Sequence, residues 1–255
     1  MIRKELTIFL TAVMFYSRIP VPRNVEFSNE LLNKSTRYFT LVGMIIGGLG
    51  ALIYWGCTFI LPDNIAIAIS MIATIWVTGA FHEDGFADFC DGFGGGYTKE
   101  KILEIMKDSR IGTYGSIGLI LMLLTKFLCL TNIRPVSLPL VFIAAHGFTR
   151  LLPVAIIYTS EYVRADLTSK VKPIGHRDSK AAFLIALFFG MVSTFFIPLT
   201  TALFIVVLSV VLFFIFKAYM EKKLGGYTGD ILGALQQLAE IVFYLGFLIA
   251  QQNFV

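Results

Sequence analysis

The sequence predicts an all-α, polytopic membrane bundle of about seven transmembrane helices, preceded by an interfacial or re-entrant helix. Three observations lead there. The 255 residues are 56% hydrophobic and only 15% charged, with a mean hydropathy of +0.77, too apolar for a water-soluble globule. Apolar runs of membrane length recur at 36–61, 64–81, 112–131, 136–159, 181–199, 201–219 and 230–251. Lys and Arg crowd into alternate connections between those runs.

At the amino terminus, Arg3 and Lys4 precede an apolar stretch over 6–16. That stretch is shorter than the ~20 residues a span needs, and Ser17-Arg18-Ile19-Pro20 offers no small-residue cleavage site, so an attached helix lying in the interface is expected. The connections at 62–64, 132–135 and 198–200 are short and carry one basic residue, Arg134. The others are rich in them: Arg18, Arg23, Lys34 and Arg37; Lys99, Lys101, Lys107 and Arg110; Arg164, Lys170, Lys172, Arg177 and Lys180; Lys217, Lys222 and Lys223. The positive-inside rule puts these four connections in the cytoplasm and the carboxyl terminus outside. The expectation is a multi-pass cytoplasmic (inner) membrane protein whose polar motifs meet on the cytoplasmic face. With no repeat, linker or low-complexity tract, residues 1–255 read as a single integral-membrane catalytic domain. A net charge of +4 is what such loops produce, and no basic stripe interleaved with aromatics marks a nucleic-acid partner. Cys57, Cys90 and Cys129 are odd in number and scattered, so free thiols are expected rather than disulfides or a zinc site.

The chemistry concentrates between Phe81 and Gly115, where F-H-E-D-G-F-A-D-F-C-D-G-F-G-G-G-Y-T-K-E-K-I-L-E-I-M-K-D-S-R-I-G-T-Y-G follows a membrane-length apolar run. In a helix, Asp84, Asp88 and Asp91 fall at i, i+4 and i+7 and share one face. Three anions on one stripe repel unless a cation joins them. Carboxylate ligands with no Cys/His set nearby select a hard ion, Mg²⁺ or Mn²⁺. The Gly94-Gly95-Gly96 triplet is expected to end this helix, and Thr98 to cap a short amphipathic one reaching Lys107, which leaves Asp108 able to fold back towards Asp91. Lys107 and Arg110 flank Asp108, offering cations to phosphate beside an acid for metal. Lys99 and Lys101 are equally accounted for as the hydrophilic face of an interfacial helix.

Four ionisable residues fall at membrane depth: Lys126, His146, Arg150 and Glu240. His146 and Arg150 share a helical face, and the fixed charge of Arg150 suits an anionic substrate. Such residues usually face the bundle interior; for Lys126 the alternative is to snorkel, and for His146 it is simply to bond a neighbouring helix. In the last basic connection, Gly225, Gly226 and Gly229 open a helix whose first turn holds Thr228 and Asp230; the Asp either serves a phosphate site or satisfies the helix dipole. The third connection, with Arg164, Lys170, Lys172, His176 and Arg177, either binds polyanions or reports topology.

These residues resemble the cobalamin synthase family, the adenosylcobinamide-GDP ribazoletransferases. The family pattern H-x-D-G-x-A-D-x-x-D-G, then a glycine run and L-E-I-M-K-D-S-x-I-G, is matched at 82–92, 94–96 and 103–112. Ser17-Arg18-Ile19-Pro20, Arg150, Arg164 and Gly225-Gly226-Tyr227-Thr228-Gly229-Asp230 extend the match over most of the chain. The resemblance implies a Mg²⁺-dependent enzyme of late cobalamin synthesis. It would join adenosylcobinamide-GDP to α-ribazole or its 5′-phosphate and release GMP. A ribose hydroxyl would attack the cobinamide-linked phosphorus while a carboxylate-held metal stabilises the phosphoryl oxygens. On this reading Asp84, Asp88, Asp91, Asp108 and, where the pattern is looser, Glu83 form the metal shell. Lys107, Arg110 and Arg150 contact phosphate, Asp230 holds substrate or a second metal, and Asp91 or Asp108 is the general base. Oligomeric state stays open, a homo-oligomer included.

A more distant resemblance links the chain to the CDP-alcohol phosphotransferases, with D-x-x-D-G-x-x-A-R and a later G-x-x-x-D-x-x-x-D. Asp88 to Gly92 fits its start, but Gly95 and Gly96 stand in place of Ala-Arg and Gly112 in place of the final Asp. That speaks against a phospholipid product and leaves a related fold open. A divalent-cation transporter is the third reading; it would place acids near the bilayer centre on several spans rather than at one helix end.

Overall fold

The computed structural model describes residues 2–25, 27–163 and 177–253. Arg164, Lys170, Lys172 and His176 therefore lie outside the described residues. Twelve helices occur among those described: α1 (Ile2–Tyr16), α2 (Asn29–Ser35), α3 (Phe39–Thr58), α4 (Asp63–Thr78), α5 (Phe81–Gly95), α6 (Lys99–Ile105), α7 (Thr113–Asn132), α8 (Leu138–Thr149), α9 (Leu151–Thr159), α10 (Lys180–Ser193), α11 (Leu199–Leu224) and α12 (Gly229–Asn253). Tyr162 and Tyr227 form an isolated bridge, and no strand accompanies it among the described residues.

Five stretches are long and apolar enough to cross a bilayer: Asn29–Thr58, Thr113–Asn132, Pro135–Thr159, Leu199–Leu224 and Gly229–Asn253. A sixth arises if α4 and α5 count as one span, but they are bent by 87°. The seventh expected span is α10, a shorter apolar helix that runs with its terminal 3₁₀ turn over Lys180–Phe196. The expected seven thus become five full-length spans, one broken at a corner, and one short helix.

That corner is built by two left-handed residues, Gly79 at φ +69° and Ala80 at φ +56°. Gly79 closes α4 as a left-handed cap, its N–H reaching the Trp76 carbonyl at 3.0 Å, and the Ala80 N–H reaches Ile75 O at 2.8 Å. The Ser17-Arg18-Ile19-Pro20 segment docks here: the Arg18 N–H donates to Val77 O at 2.6 Å, and the Arg18 side chain lies where a Gly79 Cβ would stand. The segment's place in the sequence pattern therefore has a structural meaning, since it braces the turn that aims α5.

α1 is not a span. At ~1.5 Å per residue its 15 residues reach only part of a ~30 Å hydrocarbon core. Its Ala12, Val13 and Tyr16 are buried with Phe39, Val42 and Ile46 of α3, Val154 of α9 and Ala186 of α10, while Leu6 is exposed. Arg37 holds its polar end, donating to Glu5 at 3.1 Å and to Asp178 at 2.5 Å.

The centre of the bundle is the α3–α8 contact. Gly43 and Gly47, four apart on α3, let the backbones meet: a Cβ on Gly43 would lie 2.1 Å from His146 O, and one on Gly47 2.4 Å from Phe142 O. Small residues at this spacing permit close membrane-helix packing. Gly43→Leu should therefore force α3 off α8 and cost about 3 kcal/mol or more, measurable as a fall in the unfolding midpoint in detergent. An unchanged midpoint would mean that the contact is slack.

Candidate active site

α5 carries the acidic stripe and ends as the glycine triplet requires, with Gly95 its last residue and Gly96 the cap. Thr98 caps α6, its hydroxyl accepting from the Lys101 N–H at 3.3 Å, although α6 stops at Ile105 rather than Lys107. Three contacts fix α5 among its neighbours. Asp91 accepts the Gly112 N–H at 2.7 Å through Oδ2 and the Gly115 N–H at 2.8 Å through Oδ1, fastening the start of α7. Gly92 meets Met106 beyond α6. Gly85 lies against the Asp230 backbone, where an added Cβ would stand 2.9 Å from both Cα and the carbonyl oxygen, so the first turns of α5 and α12 touch.

The expected residues divide into groups. Asp84 is exposed and Asp88 and Asp91 are half-buried along one stripe of α5. Asp230, in the first turn of α12, joins them through the Gly85 contact. The other end of its loop is clamped as well: the Tyr227 N–H donates to Glu161 O at 2.9 Å and the Val163 N–H to Tyr227 O at 3.0 Å. Asp108 is exposed and gripped by the Arg110 fork, Nε to Oδ1 at 3.1 Å and Nη2 to Oδ2 at 2.7 Å. This pairing holds the Asp108 carboxyl down at about 2, so it stays ionised at any working pH. Lys107 is exposed beside it.

Glu83 points elsewhere. It is half-buried, accepts from Gln237 Nε2 at 3.1 Å, and belongs with an interior polar network rather than the stripe. Arg150, at the joint of α8 and α9, is 1% exposed and donates to His146 O at 2.7 Å, with Glu240 Oε1 3.8 Å away. Lys126 does not snorkel. It is buried, donating to Glu240 Oε2 at 2.5 Å and to Gln237 Oε1, because two acceptors on α12 reach it inside the bundle. These groups line a small interior cavity together with Thr74, Thr78 and His82. The sequence reading picked out Lys126, His146, Arg150 and Glu240 by their charge and missed Gln236 and Gln237. A neutral amide at membrane depth carries no charge signal, and only its adjacency to Glu240 on α12 could have marked it.

Among the described residues, no group of three or more His, Cys, Asp and Glu side chains gathers as a ready-made metal shell. The donors nonetheless fit Mg²⁺ in kind, being carboxylate oxygens at a helix surface. Mg²⁺ keeps several waters and is commonly held by one or two carboxylates plus substrate phosphate, so a closed protein cage is not what it demands.

Comparison with known proteins decides the family: residues 8–248 match the cobalamin-5-phosphate synthase family. The chain belongs to it. An adenosylcobinamide-GDP ribazoletransferase of Vibrio parahaemolyticus is 43% identical over 99% of this chain and 96% of its own. Proteins of the same name from Shewanella sp. (strain W3-18-1) and Shewanella amazonensis are each 42% identical, the first over 96% of this chain and 95% of its own, the second over 95% of both. No solved structure matches the chain. Membership in the cobalamin-5-phosphate synthase family spans the corner, the acidic helix and the Asp230 loop together, so the site belongs to one continuous homologous unit.

Proposed function

We propose that this chain, a transferase of cobalamin synthesis, transfers the cobinamide phosphate of adenosylcobinamide-GDP to ribazole or its 5′-phosphate at the acidic end of α5. The observation that carries the site is the Asp84–Asp88 stripe. It leaves the bundle beside the first turn of α12, and a named transferase aligns with the chain end to end. A ribazole hydroxyl oxygen forms a bond to the cobinamide-linked phosphorus, the phosphoanhydride bond breaks, and GMP leaves with the electron pair. Asp84 and Asp88 would hold Mg²⁺, which supplies neutralising charge to the phosphoryl oxygens.

The chain's own cations do the rest. Lys107 and Arg110 are exposed at the acidic end, where a phosphate can reach them. Arg110 taking a phosphate would loosen its hold on Asp108, which then becomes a stronger acceptor for the hydroxyl proton; paired as it stands, Asp108 is a weak base. Asp91 is occupied by two backbone N–H groups, so it serves as base or ligand after Gly112 or Gly115 lets go. Arg150 reaches an anion by way of the interior cavity. The acidic end faces the cytoplasm of the inner membrane, as the basic connections beside it favour.

The test is purified protein with adenosylcobinamide-GDP and either form of ribazole. Product and GMP should appear together, stop in EDTA and return with Mg²⁺, while CDP-diacylglycerol yields no CMP. Undiminished turnover in EDTA would overturn the metal.

A further inference from the structure

A second, small cavity opens between the first turns of α5 and α12 and is walled by Tyr16, Phe39, Phe81, His82, Gly229 and Gly233, among others. Tyr16, Phe39 and His82 are buried, whereas Phe81 is 41% exposed and Gly229 is exposed, so those two residues mark the protein surface beside the cavity. The rings are already arranged for one another: Phe39 lies stacked on His82 with centroids 5.7 Å apart, and Phe81 meets His82 edge-on at 5.4 Å. Among the lining side chains only Tyr16 and His82 carry polar atoms, and the Tyr16 hydroxyl is engaged with Ser35. His82 is 2% exposed, and its buried Nε2 has no hydrogen-bond partner among the described residues. A buried ring nitrogen left so is costly and specifies what should satisfy it.

The neighbours in sequence set the direction. Asp84 follows Phe81 and His82 in the first turn of α5, and Asp230 follows Gly229 in α12. A flat ligand in the cavity therefore presents whatever it carries at its rim to the acidic stripe. We infer that this cavity receives the aromatic base of the ribazole acceptor, a fused two-ring system of benzimidazole type, with His82 Nε2 bonding its one free ring nitrogen. The inference rests on the proposed transfer and adds the acceptor subsite to it. Guanine, the other base in the reaction, has donors and acceptors on several edges. In an apolar slot offering a single partner, those would be buried unpaired at about 1–3 kcal/mol each, so the cavity selects against it. Aromatic walls add offset-stacked and edge contacts that a ring gains and a sugar does not. His82 also lines the interior cavity and so stands as the wall between the two.

The experiment uses the whole protein. Replacing the ring nitrogens in His82→Phe should raise KM for ribazole about tenfold, the loss of one buried hydrogen bond, with KM for adenosylcobinamide-GDP within about twofold of wild type. His82→Gln, which restores a donor, should recover part of that. Leu232→Trp, at a half-buried position in the wall, should fill the slot and favour an imidazole riboside over ribazole. In wild-type protein, free 5,6-dimethylbenzimidazole should inhibit competitively with ribazole and guanine should not. Unchanged ribazole KM in both His82→Phe and Leu232→Trp, in protein that turns over, overturns the inference alone. Absence of turnover in wild type overturns the proposed transfer instead; equilibrium dialysis of the free base then decides the pocket, which stands if binding is lost in Leu232→Trp and falls if the base does not bind wild type.

Discussion

Asp84→Asn should lower the turnover number by about 10³-fold or more and leave the unfolding midpoint where it was. The magnitude follows from what carboxylate-held metal contributes to phosphoryl transfer, several kcal/mol of charge stabilisation, at about 1.4 kcal/mol per decade of rate. The clean separation from stability follows from position. Asp84 is exposed on the first turn of α5, so an amide there leaves no buried group unpaired. Asp91→Asn, by contrast, would act on both quantities, because the carboxylate accepts from Gly112 and Gly115 and an amide has only one acceptor oxygen to offer them. That variant should lose about 1–3 kcal/mol of stability along with activity. Measuring the pair side by side, with GMP release for rate and a thermal scan in detergent for stability, separates chemistry from scaffolding. Wild-type turnover in Asp84→Asn would remove the stripe from the reaction.

The stripe was legible in the sequence because a helix converts spacing into a face without help from the rest of the fold. The same holds for the Gly96 stop and the Thr98 cap, which are decided within one turn of chain. The corner between α4 and α5 was not legible. The run over 64–81 is apolar throughout, and Ala80 is an unusual choice for a left-handed position; the docked Arg18 segment imposes that conformation from a distance. The fate of Lys126 stays open in the sequence for a related reason. Its charge says that it needs a partner or water, but whether it snorkels depends on Gln237 and Glu240, more than a hundred residues away. Glu83 shows the limit of reading a motif as one functional block. It adjoins Asp84 in sequence, yet one residue of helix is a turn of about 100°, enough to send it to Gln237 and the interior while Asp84 stays at the surface.

The interior network carries the second large effect. Lys126 and Glu240 are 6% and 5% exposed at the side chain, 2.5 Å apart, and Glu240 also accepts from Gln236 Nε2 at 2.5 Å. Lys126→Met would leave the Glu240 carboxylate buried beside His146 and Arg150 with its main counter-ion gone, and Glu240→Leu would strand the Lys126 ammonium with Gln237. Each single change should cost about 3–5 kcal/mol, the price of an uncompensated buried charge. The double variant Lys126→Met, Glu240→Leu should cost clearly less than the sum, because both charges and both desolvation penalties disappear together. Since α7 and α12 are the helices joined by this pair, and both also hold α5 through Gly112, Gly115 and Asp230, the singles should lose transfer activity along with stability. The double should regain both. Additive losses in denaturation and activity would show instead that each residue acts through separate partners, and that the pair does not lock the acidic helix in place.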